Sequence, residues 1–186
     1  YIAGGADGSG IKIAVLDNGF EEYPAASLFA APPLSSIKAT FDVFNGGTAV
    51  FDDGGAHGTG CLEQVYDHAP GADYYLVQMN SGATHLGVAV NQCKAWGVDV
   101  ITMSLTMYNH GWADESGDAC KAVKDATDAG ILFFVCAGNR ARQHWRGDFV
   151  DTDGDGFLAN VEMGEAVHQS SGVDFEDLLF EASDPE

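Results

Sequence analysis

The chain has 186 residues, 46% of them apolar and 19% charged, enough to bury one sizeable core and closer to one domain than to two. Asp and Glu number 28 against 8 Lys and Arg, and the resulting net charge of −20 excludes a binder of nucleic-acid backbones, which needs a basic footprint. Such acidity suits solubility, high salt or divalent cations, and composition does not choose among them.

Taken in chain order, Ile11 to Leu16 is an almost unbroken apolar run ending at Asp17-Asn18-Gly19, the pattern of a buried parallel strand that stops in a turn. Pro24, Pro32 and Pro33 break residues 21–35, and Ile37 to Phe44 alternates as a second strand. After His57, the apolar residues Cys61, Leu62, Val65 and Tyr66 recur at helical spacing until Pro70-Gly71. Tyr74 to Met79 reads as a strand, and Leu86, Ala89, Val90 and Cys93 mark one face of a helix closed by Gly97. Val98 to Met103 is a strand, Ala119, Ala122, Val123 and Ala126 form a helical stripe ending at Gly130, and Ile131 to Cys136 is a last buried strand. The stretch Ile131 to Ala137, the longest apolar run, is too short to cross a bilayer, and no charged leader followed by an apolar stretch opens the chain.

Helices of this length between apolar strands require right-handed crossovers and a sheet covered on both faces, so the expected fold is α/β with a doubly wound parallel sheet. Chemistry in such sheets gathers beyond the carboxyl ends of the strands, where Asp17, Ser104 and Asn139 all fall. The four cysteines at 61, 93, 120 and 136 have no Cys-x-x-Cys spacing, which indicates neither a zinc site nor a thioredoxin-like motif. They read as free thiols or a disulfide.

Three segments, Val15-Leu16-Asp17-Asn18-Gly19, His57-Gly58-Thr59-Gly60 and Ala137-Gly138-Asn139, together resemble the subtilisin-like serine peptidases, the subtilases. The likeness extends through Asp67 to Ala72, Gly97 to Ile101 and Gly130-Ile131, over roughly residues 10–150. It implies a subtilisin-like sheet, an Asp-His-Ser triad and a peptide or protein substrate. Asp17 would orient His57 and stabilise its imidazolium, His57 would act as base, and Asn139 would donate its amide N–H to the oxyanion. Ser104 and Leu105 resemble the family's strand that pairs with the substrate backbone. The resemblance also implies an extracellular or secreted setting, although no membrane segment or targeting signal stands in the chain.

Departures are specific. Asn18 stands where Ser or Thr is usual, Leu62 where Ala is, and Thr106 where Gly commonly follows Ser-Leu. Cys61, four residues after His57, matches the position of a free thiol in proteinase-K-like members, and reads equally as a plain core cysteine. The family's Gly-Thr-Ser-x-Ala nucleophile motif does not occur in these 186 residues, and Ser170-Ser171-Gly172 lacks the small-residue helix start that would replace it. The chain opens on Tyr1 and its last residues bring no closing element, so it is expected to be a truncated piece: residues 1–150 part of a catalytic domain, residues 151–186 the start of an acidic insertion that precedes the serine. Twelve of the 28 acids lie between Asp148 and Glu186, and no Lys or Arg follows Arg146.

A second motif sits at that boundary. Asp151, Asp153 and Asp155, then Gly156, then Glu162 match a calcium loop, in which alternate carboxylates converge around a glycine turn and a glutamate closes the shell. Phe157 would add its backbone carbonyl. An acidic turn without metal is the alternative. The expectation is therefore a serine endopeptidase in the full-length parent, with this piece inactive for want of the serine; the rival is a non-catalytic calcium- or peptide-binding pseudoenzyme.

Overall fold

The computed structural model describes residues 6–52, 54–107 and 116–138. All the elements below lie in the first of two units of the chain, Tyr1–Ala137. The expected boundary at residue 150 falls outside the described residues.

Among the described residues, five strands form one sheet: β1 (Lys12–Asp17), β2 (Ile37–Asp42), β3 (Asp73–Gln78), β4 (Val100–Met103) and β5 (Leu132–Val135), in the order β2-β3-β1-β4-β5. Every pairing is parallel. The helices are α1 (Tyr23–Ala26), α2 (His57–His68), α3 (Ala83–Trp96) and α4 (Asp118–Asp128). The α/β doubly wound parallel sheet is the fold the sequence implies.

Alternation along β1 divides the core in two, because successive side chains point to opposite faces. Ile13 and Val15 join Tyr74, Leu76 and Leu62 of α2 on one face. Ala14 and Leu16 join Val77 and Ile101 with Leu86, Ala89 and Cys93 of α3 and Ala122 and Ala126 of α4 on the other. With α2 on one face and α3 and α4 on the other, the carboxyl end of central β1 lies where the windings reverse, the place such sheets keep for ligands.

Local differences from the expected elements have local causes. β1 runs through Asp17 rather than stopping before it, since the Asp17 carbonyl accepts the Met79 N–H at 2.8 Å and prolongs the ladder. β2 ends at Asp42, whose carboxylate accepts the Phe44 N–H at 2.8 Å and turns the chain. Pro24, read as a breaker, lies in the first turn of α1, where its missing N–H costs nothing. Gly97, as expected, closes α3 in the left-handed region, with φ 64°.

Candidate active site

Asp17 and His57 are 40 residues apart in sequence, and the fold brings them into contact. His57 Nδ1 lies 2.8 Å from Asp17 Oδ1. Asp17 is fully buried at the end of β1, and its Oδ1 also accepts the Asn18 N–H at 2.8 Å. Its other oxygen, Oδ2, is buried with no hydrogen-bond partner among the described residues. An ionised carboxylate can only accept, so it draws the imidazole proton to Nδ1 and leaves Nε2 bare as an acceptor. The His57 side chain is 55% exposed, which gives that nitrogen access to an incoming group.

Close packing at the start of α2 sets this geometry. His57 is the first helical residue, and Gly58 follows it against the β1 exit. A Cβ on Gly58 would stand 2.5 Å from the Gly19 carbonyl oxygen, 2.7 Å from Asp17 Cβ and 2.9 Å from the Phe20 ring. Only glycine lets helix and strand approach this closely. Two hydrogen bonds pin the same turn: Gly58 N–H to the Gly19 carbonyl at 3.0 Å and the Thr59 hydroxyl to the Glu21 carbonyl at 2.7 Å.

Ser104 directly follows β4 and is exposed, and Leu105 is half-buried beside it. Leu105 and Thr106 line a cavity of about 590 Å³ between the exits of β4 and β5 and the α4 helix. In its lining, Thr106 Oγ1 and Cys136 Sγ are 3.3 Å apart. Asn139 lies outside the described residues, as do Asp151, Asp153, Asp155, Phe157 and Glu162 of the expected calcium loop.

Cys61 is a free, half-buried thiol that belongs to the site itself. One helical turn after His57, its Sγ is 3.8 Å from His57 Nδ1. Burial pushes its thiol pKa up, a hydrogen bond with Ser104 pulls it down, and the Asp17 charge pushes it up again. The i, i+4 spacing on α2 puts the thiol beside the imidazole in the sequence already. Its nearness to Asp17 has no such signal, because β1 meets that face of α2 only in the fold.

The family model of the subtilases matches residues 8–170, and the chain belongs to the subtilase family. A thermostable alkaline protease of Halalkalibacterium halodurans is 29% identical over 151 residues, which are 75% of this chain and 38% of that protein. A protein of Hyphomonas neptunium described as a tRNA-specific 2-thiouridylase is 32% identical over 117 residues, 59% of this chain and 29% of that protein. The chain thus spans well under half the length of either relative.

Proposed function

We infer that this chain supplies the aspartate and histidine of a serine endopeptidase whose nucleophile lies outside these 186 residues. The observation that carries the reading is the 2.8 Å contact between a buried strand-end carboxylate and an accessible helix-start imidazole. In the parent, His57 Nε2 takes the proton of the serine hydroxyl as it attacks the peptide carbonyl, and returns it to the leaving amine. Asp17 keeps the imidazole in the tautomer that presents Nε2 and stabilises the imidazolium formed midway. Ser104 and Leu105 pair with the substrate backbone, and Asn139 steadies the oxyanion. The chain alone does not hydrolyse peptides.

The protease relative and the family support a protein or peptide substrate, and an extracellular setting is part of the same reading. Among the described residues no helix is long and apolar enough to cross a membrane. The tRNA-specific activity in the name of the Hyphomonas relative does not carry over: the match covers 29% of that protein, and a net charge of −20 repels RNA.

The test is peptide hydrolysis by the full-length parent. His57→Ala is expected to lower turnover on the order of 10⁶-fold, as loss of a triad base does. Hydrolysis unaffected by that change, or none by the wild-type parent, refutes the reading; the second result favours the pseudoenzyme.

The acidic loop 151–162 belongs to the same proposal as a calcium site, supported by its sequence spacing. Calorimetric titration of calcium is expected to give saturable heat that Asp153→Ala with Glu162→Gln removes. Equal heats from both proteins, or none from either, leave only an acidic turn.

A further inference from the structure

We propose that Gln78 is a positioning residue for His57: its buried amide holds the Gly54 segment that leads into α2, and so keeps the imidazole on the Asp17 carboxylate. The consequence for turnover rests on the peptidase reading. The consequence for the imidazole does not.

Strand register places Gln78 beside the site. Asp17 pairs with Gln78 and Gln78 with Asp42, so the last residues of β1, β3 and β2 stand in one row at the carboxyl edge of the sheet. The preceding residues Leu16, Val77 and Phe41 face the core of α3 and α4, so alternation turns all three side chains of the row towards α2. All three are buried, Gln78 to 3% exposure. With neighbouring strands about 4.8 Å apart, Gln78 is the side chain next to Asp17 on the β3 side.

An amide is out of keeping with its strand. Tyr74, Tyr75, Leu76 and Val77 before it and Met79 after it are all buried, and an apolar side chain among them would avoid the cost of removing an amide from water. What the amide meets is the loop before His57. Gly54 has φ 89°, and a Cβ built on it would stand 2.8 Å from Gln78 Nε2 and 3.0 Å from Gly19 Cα, and would overlap the Asn18 carbonyl oxygen. The loop therefore threads between the β1 exit and the Gln78 amide with no room for a side chain.

Two hydrogen bonds fasten this loop on the β1 side, from the Phe20 N–H to the Val50 carbonyl at 3.1 Å and from the Glu21 N–H to the Gly55 carbonyl at 3.2 Å. Gln78 bounds it on the β3 side. His57 follows Gly54 by three residues, so a shift of the loop moves the start of α2 and with it the 2.8 Å contact to Asp17. The row also explains why the residue is an amide. Ionised Asp17 and Asp42 only accept hydrogen bonds, whereas Gln78 between them offers two donors and adds no charge beside Asp17. Buried under the loop, Gln78 acts through His57 and not on the substrate.

Nitrogen-15 NMR of the neutral histidine rings is recorded for the wild-type chain, Gln78→Met and Gln78→Asn. Met keeps the length and loses the amide; Asn keeps the amide and draws it back by one methylene. Both variants are expected to show the Nε2–H form in about a tenth or more of the His57 rings, because a ring that drifts from Asp17 loses the bond that selects Nδ1–H. Asp42→Asn, one strand further from Asp17 in the same row, is expected to lower the urea midpoint without moving the tautomer. The wild-type tautomer in a folded Gln78→Met or Gln78→Asn chain, or an equal change in Asp42→Asn, overturns the proposal. In the parent, both Gln78 variants are expected to lower kcat about tenfold with KM held within about twofold; a raised KM with kcat retained overturns the positioning role. A parent that hydrolyses nothing removes the peptidase reading, while the His57 tautomer still decides the role of Gln78.

Discussion

Gly58 is the residue on which the contact between Asp17 and His57 most depends. Its missing side chain is the space into which the end of β1 packs, with Asp17 Cβ 2.7 Å and the Gly19 carbonyl 2.5 Å from where a methyl would stand. Neither neighbour is the loose end of a flexible side chain, so helix and strand must separate to admit one. Gly58→Ala is expected to cost about 1–3 kcal/mol, the usual penalty for overpacking, and to lengthen the Asp17–His57 contact. Urea unfolding measures the first and the tautomer of His57 the second. An unchanged denaturation midpoint would show that the turn yields freely. The importance of Gly58 was legible as a His-Gly pair at a helix start. What the glycine touches was not, because Gly19, Phe20 and Asp17 meet it only after the strand and helix have docked.

At the scale of elements, periodicity carried most of the fold, since a strand buried on both faces and a helix with one apolar stripe write different patterns into the sequence. The patterns fail at the ends, where single hydrogen bonds decide. Val98 reads as strand, yet its N–H bonds back to the Cys93 carbonyl and Asp99 pairs with Lys12, so β4 begins at Val100. Burial of α3 and of the α1 segment makes a pH prediction. Cys93, on the inner face of α3, has its thiol pKa pushed by burial from 9.0 to about 12. Burial likewise moves the Tyr23 hydroxyl from 10.0 to about 12, while it donates to the Pro32 carbonyl at 2.8 Å. Both groups hold their protons more tightly folded than unfolded. Their contribution is therefore complete below about pH 9 and disappears as pH rises towards about 12, each group giving a slope of at most about 1.4 kcal/mol per pH unit. The urea midpoint is expected to fall steadily across that window, and Cys93→Ala to flatten the fall. A midpoint constant from pH 8 to 11 would contradict the burial of both groups.

The whole molecule contributes what no single element holds. Asp17 and His57 meet because the sheet places β1 at its centre, with β3 and β4 on either side, and lays α2 across the end of β1. The sequence carried the identities and order of the two residues, and the spacing of Cys61 from His57. It did not carry the nearness of Cys61 to Asp17, which arises only when α2 docks against the end of β1. The central claim is that the buried Asp17 carboxylate dictates which nitrogen of His57 carries the proton. Nitrogen-15 NMR of the neutral histidine rings reads that directly. The wild type is expected to carry the His57 proton on Nδ1 with Nε2 bare, and Asp17→Asn to move it to Nε2, because the amide can present its N–H to Nδ1. Nε2–H in both proteins, or Nδ1–H unaffected by Asp17→Asn, would contradict the account.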